Sequence, residues 1–188
     1  MKLSILVLTT PKRLSTFLPK IVTELCRQAE GKDVEVLWLG DNYKRTVGAK
    51  RNALMDICNG EYFCFVDDDD WVVSDYVTTI LQGLQDKPTV FCFGAYRHHN
   101  GKKDREVRFG VEYKTDKNST GAYFRIPNHL MVWNKKAVEG VRFEELNFGE
   151  DSKWAMEVLK LIKKQSRTRK ILYQYYFNSS TTETQNFG

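Results

Sequence analysis

The chain has 188 residues, 41% hydrophobic and 13% aromatic, and 29 Lys and Arg against 24 Asp and Glu leave a formal charge of +5. This is the profile of one soluble globular domain large enough to bury a core. No apolar run reaches the roughly 18 residues that span a bilayer, which argues against a transmembrane helix.

The start, "MKLSILVLTTPKR", has a basic residue and a short apolar stretch but no small-residue cleavage site, so it reads as a buried first strand over 3–9 rather than a signal peptide. Leu14, Phe17, Leu18, Ile21, Val22, Leu25 and Cys26 then recur at helical spacing, with Pro19 confined to the helix start or a kink. "VEVLWL" (34–39) is a second strand closed by Gly40-Asp41-Asn42, and Val47, Leu54, Ile57 and Cys58 mark a short helix stopped by Asn59-Gly60. "EYFCFV" (61–66) is a third strand, running straight into Asp67, Asp68, Asp69, Asp70 and Trp71.

Ser74 reads as the N-cap of a helix carrying Val77, Ile80, Leu81 and Leu84. "TVFCFGA" (89–95) is a fourth strand, 96–128 is polar and irregular, and "HLMVW" (129–133) is another strand. A helix over 152–164, a strand over 171–177 and a polar tail complete the chain. Cys26, Cys58, Cys64 and Cys92 lie in apolar contexts without CxxC spacing, as free thiols of a reducing cytoplasm do. The basic runs 97–108 and 163–170 fit solvated surface and leave a polyanionic partner open.

Alternating strands and helices predict a single α/β domain with a mostly parallel central sheet flanked by helices and a small antiparallel addition. In open sheets of this kind ligands bind beyond the carboxyl ends of the strands, which selects Thr9-Thr10, Gly40-Asp41-Asn42 and the aspartates. Adjacent carboxylates repel unless a cation neutralises them, and their hard oxygens suit Mg²⁺ or Mn²⁺. On an extended segment Asp67 and Asp69 face the same way. This D-x-D at a strand end suggests a metal–diphosphate site, against the plainer reading of a solvated acidic turn with Asp70 capping a helix.

These residues together resemble the GT-A-fold glycosyltransferases of the family 2 type, across nearly the whole chain and in matching order. "SILVLTTPKR" (4–13) is similar to the family's first strand and keeps Thr9, while "LGDN" (39–42) keeps the aspartate that binds the nucleobase, Asp41. "VGAKRNAL" matches the Gly, Arg and Asn of a family segment at Gly48, Arg51 and Asn52, and "GEYFCFVDDDDW" is close to "GEYIxFLDADD". "FGEDSKW" places a Glu-Asp pair at Glu150-Asp151, and the tail resembles the Ser/Thr-rich segment that folds over the donor.

The resemblance implies an inverting, metal-dependent transferase with a donor half (1–95) and an acceptor half (96–188). Asp151 would be the general base. Thr9, Asp41, Arg51, Asp67 and Asp68 would bind a nucleotide-diphosphate sugar, with a lean toward UDP. Asp69, with Asp67, would hold Mn²⁺ or Mg²⁺. Glu150, Trp71 and His129 are candidates for acceptor contact or support, His129 also for a third metal ligand. Q-x-x-R-W is absent, which disfavours processive synthesis.

Charge, size and the lack of a membrane anchor suggest DNA with hydroxymethylated bases as acceptor, as in phage-type DNA modification. In that case the enzyme works in the cytoplasm, the host's if the gene is viral, and Tyr113, Tyr123 or Phe124 is a candidate wedge. Cell-surface oligosaccharide or protein acceptors are the alternative. Readings of another class are a nucleotidyltransferase, which the glycine-free "TTPKRLS" disfavours, and a non-catalytic nucleotide-binding module.

Overall fold

The computed structural model describes residues 1–113, 117–119 and 121–178. The expected Ser/Thr-rich segment therefore lies, from residue 179 on, outside the described residues. Strand β1 (Leu3–Leu8) has all six residues buried, because it runs between two parallel neighbours, β2 (Val34–Leu39) and β3 (Tyr62–Asp67). Helix α1 (Leu18–Ala29) carries Pro19 in its first turn, where a missing N–H costs nothing, and buries Leu18, Ile21 and Leu25. Helix α2 (Val47–Ile57) is capped by the Thr46 hydroxyl and packs on β1.

A two-residue strand β4 (Trp71–Val72) and helix α3 (Tyr76–Gly83) follow the aspartates. The N-cap is Asp75, not Ser74: the Asp75 carboxylate bonds the Thr79 hydroxyl instead of a backbone N–H. The segment expected to be irregular is largely sheet. Strand β5 (Val90–His99) turns through Asn100 and Gly101, both at positive φ, into β6 (Lys102–Phe109), and β7 (Lys117–Asn118) and β8 (Ala122–Arg125) extend it. Asn-Gly between two runs is the sequence signature of a tight hairpin, and here it outweighs the polar composition around it.

Strand β9 (Val132–Asn134), helix α4 (Glu150–Leu159) and the long β10 (Gln165–Phe177) complete the fold. The sheet order is β2-β1-β3-β9-β5-β6-β8-β7, with β10 parallel to β5 along its other side and antiparallel to β4. Its β2-β1-β3 half is parallel, and β9 and the β5–β6 hairpin pair antiparallel, the addition expected. Trp154 is core: it stacks on Phe143 at 4.7 Å and meets Trp133 and Phe63 edge-on. No described helix is long and apolar enough to cross a membrane.

Candidate active site

Because β1 and β3 are parallel and in register, Leu8 sits opposite Asp67, and Thr9 and Asp68 leave the sheet side by side. The Thr9 hydroxyl donates to Asp68 at 2.7 Å. The guanidinium of Arg13, in the loop after β1, forks across Asp68 at 2.9 Å and Asp69 at 2.8 Å. Asp70 turns away from these three. Its carboxylate accepts from the Tyr173 hydroxyl at 2.8 Å and the Tyr176 N–H at 2.7 Å, while the Tyr173 oxygen accepts the Asp67 N–H at 3.0 Å. The four aspartates are thus divided: one anchors β10, and three face a cavity of about 1040 Å³ at the strand ends.

A second set of charges closes the other side of Asp67. Arg51 reaches Asp67 at 3.5 Å and Glu150 at 3.3 Å, with its guanidinium over the Phe65 ring at 4.8 Å. His129 lies 3.7 Å from Asp67 through Nε2 and 3.5 Å from Asp151 through Nδ1. A continuous line of groups therefore runs from Glu150 through Arg51, Asp67 and His129 to Asp151. Helix α2 carries the motif residues to it. Gly48 allows the backbone of Glu144 to approach so closely that a Cβ would lie 1.8 Å from its carbonyl oxygen. Asn52 clamps the same loop through the Phe143 N–H and carbonyl at 2.9 and 2.8 Å.

The electrostatics follow from burial and these partners. Burial pushes the Asp69 carboxyl up to about 6, Arg13 opposing it and Asp67 and Asp68 adding to it. Asp68 is raised by burial beyond what Thr9 and Arg13 recover, and Asp70 is raised further by burial with Asp67 and Asp69 beside it. For Asp67 burial works upward too, but His129, Arg51 and Arg13 together hold it below the ordinary carboxylate range. Glu150 is raised by burial against the pull of Arg51.

Thr9, Arg51, Asp67, Asp68, Asp69, His129, Glu150 and Asp151 line this cavity together. Two expected residues do not. The Asp41 carboxylate is buried with neither oxygen hydrogen-bonded, 3.5 Å from Arg45, because the turn through Asn42 and Tyr43, both at positive φ, brings Tyr43 to Val47 to the cavity instead. Trp71 lies on β4, exposed, at a smaller cavity of about 360 Å³ beyond the aspartates, where β10 pairing fixes it.

The sequence reading missed Arg13 and Tyr173. Arg13 had a signal: with Lys12 it is one of two adjacent cations that follow Thr9-Thr10-Pro11, in a loop already placed at the ligand edge. The far wall of the cavity was also missed. Ala95 and Arg97 on β5, Val107 and Phe109 on β6, and Tyr123 and Arg125 on β8 alternate onto one sheet face. Tyr175 and Phe177 of β10 line the same cavity. The described parts of the supposedly irregular segment supply much of this wall.

The donor set fits a hard divalent ion in kind. Asp67 and Asp69 offer carboxylate oxygens, and both buried ring nitrogens of His129 lack a hydrogen-bond partner. Among the described residues, however, no three such donors converge on one point. Asp69 is instead held by Arg13.

With this geometry in place, three comparisons bear on it. The model of glycosyl transferase family 2 matches residues 15–138. Glycosyltransferase GlyA of Streptococcus pneumoniae serotype 4 (strain ATCC BAA-334 / TIGR4) is 24% identical over 173 residues, a match covering 81% of this chain and 24% of GlyA. The crystal structure of S. aureus TarS 1–349 in complex with UDP-GlcNAc superposes with a TM-score of 0.69 at 15% identity, over 100% of this chain and 61% of that one. A longer TarS crystal structure gives 0.67 at 16% identity, over 94% and 37%. The chain thus spans about a quarter of GlyA, and the TarS likeness establishes the fold. The family match leaves out Thr9, Arg13 and the Glu150-Asp151 pair, which stand on the geometry above.

Proposed function

Because the chain belongs to glycosyl transferase family 2, and is a glycosyltransferase with the GT-A fold, we propose that it moves a sugar from a UDP-linked donor to an acceptor hydroxyl with inversion. One observation carries this reading: eight of the ten residues expected at the site line a single cavity at the carboxyl ends of β1 and β3. The family match sets aside the nucleotidyltransferase and binding-module readings.

Thr9, Asp68, Arg51 and Asp67 form the donor side, where residues 1–95 present the diphosphate to the strand ends. Asp69 and Asp67, with His129 beside them, would hold Mn²⁺ or Mg²⁺, which supplies positive charge to the leaving diphosphate. Asp151 stands at the cavity with its side chain 34% exposed and 3.5 Å from His129, so it can reach an acceptor hydroxyl. It takes the hydroxyl proton as the acceptor oxygen attacks the anomeric carbon from the face opposite the diphosphate. The bond to the diphosphate oxygen breaks, and one displacement inverts the anomeric centre. Glu150 keeps Arg51 against Asp67, and residues 96–178 supply the acceptor wall.

DNA as acceptor was expected from the basic runs, and the structure weakens that argument. Arg97 and Arg105 share Asp104, Arg108 pairs with Glu106 at 2.6 Å, Arg167 with Glu112, and Lys170 with Asp75 at 2.9 Å. Charges so paired release few counterions on binding a polyanion. Oligosaccharide or protein acceptors fit the aromatic wall at least as well. All four cysteines are free, which supports a reducing, cytoplasmic setting.

The test is a calorimetric and thermal-shift panel of UDP, ADP and GDP with and without Mn²⁺. UDP at about a hundred times its dissociation constant is expected to add roughly 2.7 kcal/mol of stability. A protein stabilised by no nucleoside diphosphate, with or without the ion, refutes the donor site.

A further inference from the structure

We propose that Arg13 is the resident counter-cation of the donor site: its guanidinium and a divalent ion are alternative occupants of Asp69, and the ion enters together with the diphosphate. The inference rests on the donor reading above and adds a step to it.

Asp68 and Asp69 are adjacent, with side chains 2% and 21% exposed. Two such charges need a positive group within reach whether or not a ligand is bound. Arg13 supplies it with one nitrogen on each carboxylate, a planar fork that a lysine cannot reproduce. Its backbone is fixed, since the Arg13 N–H bonds Thr10 O at 3.0 Å and the Arg13 carbonyl accepts from Phe17 and Leu18 at 3.0 and 3.2 Å. Only the side chain is able to move.

Room for that movement exists. Arg13, Asp68 and Asp69 line both the large cavity and the smaller one of about 360 Å³ next to it, so the guanidinium stands in the partition between two spaces. The Phe17 ring is 6.0 Å from the guanidinium carbon and lines the smaller cavity. Arg51, between Asp67 and Glu150 over Phe65, lines the large cavity but not the smaller one. Mg²⁺ and Mn²⁺ use one or two carboxylates plus substrate phosphates. An arriving diphosphate therefore offers the ion its remaining ligands and offers Arg13 a new bidentate partner, so the exchange at Asp69 conserves charge pairing on both sides.

The experiment titrates Mn²⁺ into the full chain without nucleotide and follows the free aqueous ion by its EPR signal. Arg13→Gln is expected to bind Mn²⁺ about tenfold tighter than wild type, the loss of one charge-assisted pair, with Arg13→Lys between them. Arg13→Gln should also bind UDP more weakly. An arginine that stayed on Asp69 would weaken Mn²⁺ binding by its charge alone, with or without nucleotide. Under the exchange the gap between wild type and Arg13→Gln closes when UDP is present, and a gap still about tenfold with UDP overturns the proposal. Mn²⁺ affinity unchanged or weaker in Arg13→Gln overturns the proposal. Where Arg13→Gln shows no folded thermal transition, Arg13→Lys decides by the same criterion. Wild type that takes up Mn²⁺ with UDP, beside an unresponsive Arg13→Gln, defeats this inference alone. Wild type that takes up no Mn²⁺ even with UDP defeats the metal reading, and this inference with it.

Discussion

The two walls of the cavity are built on opposite plans. On the aspartate side charged and polar groups are interlocked: Thr9 to Asp68, Arg13 to Asp68 and Asp69, Arg51 to Asp67 and Glu150. On the side of β5, β6 and β8, three guanidiniums share one ring. Arg97, Arg105 and Arg125 lie 5.6, 5.1 and 4.9 Å from the centre of Tyr123, with contacts that are half-exposed and tolerant of angle. A diphosphate has the same shape and charge in every donor, so the wall proposed for it is held by buried charge pairs, with the Arg13 pair on Asp69 the one proposed to exchange. An acceptor has no such constant, and the wall proposed for it is made of surfaces that can adjust.

The contrast is broken or upheld most directly at Asp151. Asp151→Asn keeps the shape of the helix start and removes the only proposed proton acceptor, so transfer should fall about 10²–10⁴-fold. UDP binding should stay within about twofold, a change too small to register as a lost contact. Transfer that survives at a tenth of the wild-type rate would move the base elsewhere. Next in size is Gly48→Ala. Its Cβ would lie 1.8 Å from the Glu144 carbonyl, a backbone atom that cannot step aside, so the variant should lose about 2–4 kcal/mol in urea unfolding. Gly121→Ala, before β8, meets nothing within 4 Å and should stay within about 0.5 kcal/mol. Equal losses at the two glycines would mean the donor side is no more rigidly packed than the extension.

The same difference explains what the sequence revealed. The strand–helix alternation through residue 95 and the polar ends of those strands are local patterns, and they led to Thr9, Asp67, Asp68 and Asp69. The partners that divide the aspartates into roles were not legible, because Tyr173 is over a hundred residues away from Asp70 and meets it only through β10 pairing with β4. In the extension, polar alternation such as "KKDREVRF" hid a strand whose cavity-lining positions are Val107 and Phe109. The Asn-Gly turn announced the hairpin, but the cavity-facing register came from the tertiary structure.

Asp69 offers a smaller effect with a definite sign. Burial raises its carboxyl to about 6, above the usual unfolded value near 4. Between those values the folded chain binds more protons than the unfolded one, so this group's contribution to stability falls as pH rises from about 4 to 6. Above that window ionised Asp69 costs roughly 1–3 kcal/mol. Asp69→Asn should therefore raise the metal-free melting midpoint at pH 7.5 by about 2–8 °C, with the gain shrinking toward pH 4. A variant that melts lower at every pH would show that Arg13 more than repays the burial of this charge. In that case the acid edge is a stabilised structure and not a strained one kept for function.

The smallest effect belongs to the opposite wall. Tyr123→Leu keeps apolar bulk on β8 but removes the ring under three arginines and the hydroxyl that accepts from Arg97 at 3.1 Å. Cation–π contacts this exposed are worth about 0.5–1 kcal/mol, so stability should fall by no more than that. Arg97 and Arg125 would still be on the wall, less tightly oriented toward the cavity. An adaptable surface predicts a rise of a few-fold in the acceptor KM while kcat and UDP affinity hold, since the interaction lost is one made equally before and during the reaction. A fall in kcat with KM unchanged would place Tyr123 among groups that matter only at the transition state. The acceptor wall would then be as finely positioned as the aspartates, and the division between a rigid and an adjustable side would not describe this enzyme.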